Sequence, residues 1–72
     1  MNKLTIIYEA AEEGGYTAYI PEVPGAVSEG ETVEEAREMV LDALKELMLA
    51  RRDRALLSRA EADIVEEIDL SA

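Results

Sequence analysis

The residues able to do chemistry in this chain are almost all carboxylates. Seventeen aspartates and glutamates stand against seven lysines and arginines, and there is no histidine and no cysteine. That leaves no imidazole base, no thiolate nucleophile and no thiolate metal site. Carboxylates by themselves can still hold metal ions for hydrolysis, in centres that set two ions about 3.5 to 4 Å apart. Such a centre needs its acids on adjoining strands and a neighbouring helix. The acids here gather instead at Glu12-Glu13, around Glu29 and Glu31, along one side of a helical repeat, and from Glu66 to Asp69. Those are turn and rim positions, where a carboxylate is usually solvated. The most strand-like runs, Thr5 to Tyr8 and Tyr16 to Ile20, contain no acid. No enzyme activity, cofactor or metal is expected.

The bases make a second cluster. Arg51, Arg52, Arg54 and Arg59 fall within nine positions, where the main helix is expected to end. Cations there complement the negative end of the helix dipole and can pair with Asp53 and Glu61. A nucleic-acid patch would need interleaved aromatics, which are missing, and the net charge of -10 repels phosphate backbones. Gly14-Gly15 opens no helix and so makes no phosphate loop. The charge favours a basic protein partner.

The elements that position these groups are legible from pattern. Leu4 to Ala10 alternates, with Leu4, Ile6 and Tyr8 on one side and Thr5, Ile7 and Glu9 on the other, which predicts a half-buried strand. Glu12 to Gly15 is a polar, glycine-ended turn, and Tyr16 to Ile20 is the returning strand of a hairpin. In the favoured register Tyr16, Ala18 and Ile20 share a face with Leu4, Ile6 and Tyr8, while Thr17 and Tyr19 join Thr5 and Ile7 opposite. Pro21 stops the ladder. Pro24-Gly25 fits the centre of a type II turn, with proline fixing φ and glycine accepting a positive φ. Ala26 to Ser28 is a short third extended piece. Thr32 and Glu35 form a capping-box pattern that starts a helix at Val33.

That helix carries Ala36, Met39, Val40, Ala43, Leu44 and Leu47 as one apolar stripe. Leu41, Met48 and Leu49 lie off it, which means either a wider buried arc or a surface for a second subunit. The tail reads two ways. Leu57, Ala60, Ile64, Val65 and Ile68 fit a helical stripe with Ser58 and Glu61 as its cap, whereas Ile64, Ile68 and Leu70 fit one face of a strand.

Size sets the remaining bounds. Residues 1–72 read as one domain, and a chain this short buries only about 60% of its unfolded surface, so a homo-oligomer is expected. No stretch approaches the ~20 apolar residues of a membrane span, and the N-terminus lacks a signal-peptide pattern. With no disulfides, a cytoplasmic location is expected. The hairpin face bearing Thr5, Ile7, Thr17 and Tyr19 is more apolar than a solvated face needs to be, which marks it as a candidate partner-binding surface. A second sheet in a homodimer could cover the same face.

The stretch GGYTAYIPEVPGAVSEGETVEEA resembles the HicB-type antitoxin family, in which Gly-Tyr, a strand, Pro-x-x-Pro-Gly and Gly-x-Thr-x-x-Glu-Ala recur. Here these are Gly15 and Tyr16, then Pro21, Pro24 and Gly25, then Gly30, Thr32, Glu35 and Ala36. The resemblance runs from Leu4 to about Leu49 and covers the tail only loosely. It implies an α+β, β-β-β-α-β domain, a partial RNase H-like fold with a small, mostly antiparallel sheet and one helix on one face. It thereby tips the tail towards a terminal strand near Ile64 to Leu70. It also implies a partner, a small basic HicA-like toxin that cleaves RNA. Many relatives carry cysteine after the Pro-Gly, where this chain has Ala26. Many also append a DNA-binding domain, for which no room is expected here, so direct DNA binding is not expected. The alternative is an orphan homo-oligomeric regulatory or ligand-binding domain without a toxin partner.

Overall fold

The computed structural model describes residues 3–70. Three strands, β1 (Ile7–Ala10), β2 (Tyr16–Tyr19) and β3 (Val27–Gly30), precede one helix, α1 (Val33–Ser58). The strands form a single sheet in the order β1-β2-β3, antiparallel throughout. This is the expected α+β arrangement of a small sheet with a helix across one face.

The hairpin register matches the favoured one. Tyr8 pairs with Ala18 and Ile7 with Tyr19, so the alternating sets fall on opposite faces. Across the other ladder Ala18 faces Ser28 and Tyr19 faces Val27. The helix covers the Ala18 side, where Ala18, Ile20, Ala26, Ala36 and Val40 are buried together. Tyr8, Tyr16, Val23, Leu44 and Leu47 pack around them. Of the anticipated helix stripe, Met39 is the exception. It is about half exposed, because the sheet is only three strands wide and does not reach that side of the helix.

Two successive turns make the proline corner. Val23 N–H donates to the Ile20 carbonyl at 3.0 Å, and Ala26 N–H donates to the Val23 carbonyl at 3.1 Å. Gly25 has φ 94°, as the type II turn requires. Ile20 N–H donates to the Ala26 carbonyl at 3.0 Å and closes the corner. At the helix entrance Glu35 N–H donates to Thr32 Oγ1 at 3.1 Å. The Glu35 carboxylate reaches back to the N–H of Glu31 at 2.9 Å, one residue before the cap. Gly30 allows this tight return. A Cβ on it would lie 2.3 Å from the backbone nitrogen of Ala36, so any side chain would force the helix off the sheet.

The terminal strand is a correction. Among the described residues no strand follows α1, and residues 64–70 run without a ladder partner. The reason is the length of the helix. It ends among the arginines, as expected, at Ser58 with Arg59 as its C-cap, but this is about 16 Å past Leu47 at 1.5 Å per residue, and it leaves the chain beyond the sheet edges. The Ser58–Glu61 cap is not used either. Ala60 N–H donates to Asp63 Oδ2 at 2.9 Å and Asp63 N–H to the Ala60 carbonyl at 3.0 Å, which turns the chain back as an arm.

Candidate protein-interaction face

The side of the sheet away from α1 is open. Its first row is apolar and runs across all three strands through Ile7, Tyr19 and Val27, which are direct cross-strand partners. Ile7 is 37% exposed and Val27 52%, while Tyr19 between them is half-buried by its neighbours. The next row is Glu9, Thr17 and Glu29. Residues opposite one another on a sheet face lie within side-chain contact range, so the two rows form one patch, apolar at one end and acidic at the other.

Thr5 stands just before β1 and is tied to the proline corner. Its N–H donates to Glu22 Oε1 at 3.0 Å and its hydroxyl to Glu22 Oε2 at 2.6 Å. These two bonds, the hydroxyl first and the amide second, hold the Glu22 carboxyl below its ordinary range, with a further contribution from the N–H of Glu22 itself. Of the four residues expected on this face, Ile7 and Tyr19 meet directly and Thr17 lies on the adjoining row. Thr5 instead serves the tether. Sequence reasoning missed Val27 and Glu29, and it put Glu9 on the same side as Thr5 and Ile7 without counting it in the partner surface. Val27 follows from extending the two-residue alternation by one step beyond buried Ala26. Glu9 becomes a neighbour of Thr17 through the hairpin ladder alone, Glu29 only through the second ladder.

The chemistry available to this patch is recognition. Glu9 and Glu29 stand on the outer strands with Thr17 between them. Among the described residues no group of three or more His, Cys, Asp or Glu could hold a metal ion. Beside the acidic row a hollow of about 500 Å³ opens between the hairpin turn and the helix entrance, with Glu13, Glu29, Glu31 and Glu35 on its wall. A lysine or arginine from a partner would find only opposite charge there. No described helix is long and apolar enough to cross a membrane.

Known proteins place the chain in company. It is 49% identical over 43 residues to a UPF0150 protein of Synechocystis sp., an alignment covering 60% of each chain. It is 51% identical over 39 residues to antitoxin HicB 1 of Photorhabdus laumondii, covering 54% of this chain and 25% of that one. Over those 39 residues the chain is similar to a protein named as a HicB antitoxin. It spans less than two thirds of either relative's length. No family model matches it, and no solved structure does.

The HicB-like signature residues take structural places. Gly15 and Tyr16 join the hairpin turn to β2, while Pro21, Pro24 and Gly25 build the corner. Gly30, Thr32 and Glu35 seat the helix, and Ala36 is buried beneath it. None of them belongs to the Ile7–Tyr19–Val27 row, so the HicB-like signature specifies the scaffold and leaves the open face to other residues.

Proposed function

We propose that this chain acts as an antitoxin-type protein, binding a small basic HicA-like toxin that cleaves RNA and neutralising it by occlusion. The observation that carries this reading is an uncovered sheet face, apolar at one end and acidic at the other, on a chain homologous to a protein named antitoxin HicB 1. Ile7, Tyr19 and Val27 offer a desolvatable centre of the kind that supplies affinity, and a tyrosine is a favoured residue for such a centre. Glu9, Glu29 and the acidic hollow supply attraction at a distance, which raises the association rate and selects against acidic partners. The role is non-enzymatic and its setting cytoplasmic. The chain works by covering the toxin's active site or RNA-binding surface.

The test pairs this protein with a small basic protein encoded by the adjoining reading frame. Co-expressed, the two should co-purify, and the complex should show suppressed RNA cleavage. Tyr19→Asp should weaken the complex by roughly thirty-fold, a loss of about 2 kcal/mol typical of a central interface residue, measured below the variant's own melting temperature, which the lost cross-strand pairs should lower. A complex that leaves RNA cleavage intact would disprove occlusion. Undiminished binding by Tyr19→Asp would move the interface to another face.

A further inference from the structure

The C-terminal part of this chain is built unlike the rest. Past Leu47 the helix has no sheet beneath it, and Met48, Leu49 and Leu57 are exposed. The arm that follows exposes Ile64 by 96%, with Ile68 and Leu70 little less open. The molecule is consequently long, 52 × 27 × 16 Å, with a radius of gyration of 15.6 Å, whereas a compact domain of this length has about 11 Å. Its accessible surface is 6256 Å², against about 4,400 Å² for a folded monomer of this mass. The surplus is more than the ~800 Å² that each partner gives to a standard protein interface.

Charge identifies what covers it. Helix residues 51–59 carry Arg51, Arg52, Arg54 and Arg59 against one acid, Asp53. Arm residues 60–70 carry Glu61, Asp63, Glu66, Glu67 and Asp69 and no base. The rest of the chain holds most of the net charge of -10, so two copies repel one another everywhere except where these two segments meet. Within one copy the arm is tied back by an ion pair, Arg52–Glu67 at 3.5 Å, between two largely exposed side chains. A surface pair contributes about 0 to 1 kcal/mol, while ordering each residue of the arm costs about 1 to 2 kcal/mol. The arm needs more burial than its own helix gives it.

We infer that this region is a self-association surface, at which two copies of the chain pair about a twofold axis and each lays its acidic arm against the other's arginine-bearing helix end. Twofold symmetry makes the contact twice over, basic helix on acidic arm in both directions. Ile64, Ile68 and Leu70 of each arm then cover the exposed Met48 and Leu49 of the other copy's helix, which lie on the same side of it as Arg52. The sheet plays no part, so the open face remains available in both copies. The inference does not depend on the toxin reading.

A charge swap tests it on the full-length chain. The unaltered protein should sediment at twice the monomer mass of 7.9 kDa. R52E/R54E has an acidic helix end and an acidic arm, and E61R/E66R/E67R has a basic arm and a basic helix end. Each alone should self-associate roughly tenfold or more weakly, with unchanged far-UV circular dichroism. Mixed in equal amounts they should form a one-to-one heterodimer, because every contact between unlike copies is again between opposite charges. An arm that only folds back on its own helix gains nothing from mixing, so absence of the heterodimer overturns the inference. A monomeric parent protein at about 100 µM, or a dimer that survives removal of residues 60–72, overturns it too.

Discussion

The two halves of α1 are made of similar residues in different surroundings. From Val33 to Leu47 the helix rests on the sheet, with Ala36 and Val40 fully buried and Leu44 and Leu47 packed at the margin of the core. From Met48 to Ser58 it is just as regular, yet Met48, Leu49 and Leu57 face solvent and only Leu56 among its large apolar residues is half-buried. Helix propensity explains the continuity, because Ala, Leu, Met and Arg are all strong helix formers and no glycine or proline intervenes. It does not explain persistence, since helices in proteins owe most of their stability to packing of one face. The first half is held by apolar packing on the sheet, whereas the second is held by exposed polar contacts, Arg51 donating to the Pro24 carbonyl at 2.9 Å and Arg52 pairing with Glu67. Perturbations therefore separate the halves.

The largest effect is expected at Gly30, the point where the first half is pressed closest to the sheet. Gly30→Val puts a side chain where Ala36 N, Ala36 Cα and the Glu35 carbonyl carbon already stand, at 2.3, 2.7 and 2.8 Å from the new Cβ. These are backbone atoms and cannot rotate away. The helix must lift, and with it the cover over Ala18 and Ile20. A loss of about 3 kcal/mol or more, enough to unfold a domain this small, is expected in thermal or urea melting. Retained stability would mean that the helix entrance is less tightly seated than the geometry shows.

The signals for this seat were local, and they were legible. Thr32 with Glu35 marks the helix start, Pro24-Gly25 marks the turn, and the alternation at Leu4–Ala10 and Tyr16–Ile20 sorts the sheet faces, because each depends on side chains a few positions apart. The far end lacked such a signal. Residues 50–58 contain no stop, so the sequence could not tell that the helix would overrun the sheet. Whether Ile64 to Leu70 becomes a strand depends on an edge being within reach, a distance set by the tertiary structure. The candidate face was legible in part for the same reason. Ile7 and Tyr19 emerge from one hairpin, whereas Val27 and Glu29 join them only through the second ladder.

A middle-sized effect comes from truncating one apolar residue in each half. Val40→Ala removes two methyl groups from a fully buried position and should cost about 2 kcal/mol, transfer and cavity together. Met48→Ala removes a longer side chain from a position 57% exposed and should cost less than about 0.5 kcal/mol in the dilute monomer. Urea denaturation of both variants at low micromolar concentration gives the comparison directly. Equal losses would mean that the overhanging half is packed against something even in dilute solution.

The smallest effect concerns the tether at the well-packed end, Thr5 on Glu22, which contrasts with Arg52 on Glu67 at the other. Glu22 receives two hydrogen bonds, one from a hydroxyl and one from a backbone amide, both fixed by neighbouring structure. They favour the ionised form, so the folded-state pKa of Glu22 lies below its unfolded value. The contribution to stability is present above the unfolded-state pKa and is lost as pH falls through the folded-state pKa. Thr5→Val removes the hydroxyl bond, the larger cause, and keeps the amide. Its carboxyl titration, followed by NMR, should move up towards the ordinary glutamate range, and Thr5→Ser should restore it. The stability difference between Thr5→Val and the parent should accordingly be visible near neutral pH and fade on acidification. Because the carboxylate is exposed to solvent, the difference stays small, and a titration midpoint that does not move on Thr5→Val would show that the hydroxyl contact does not persist in solution.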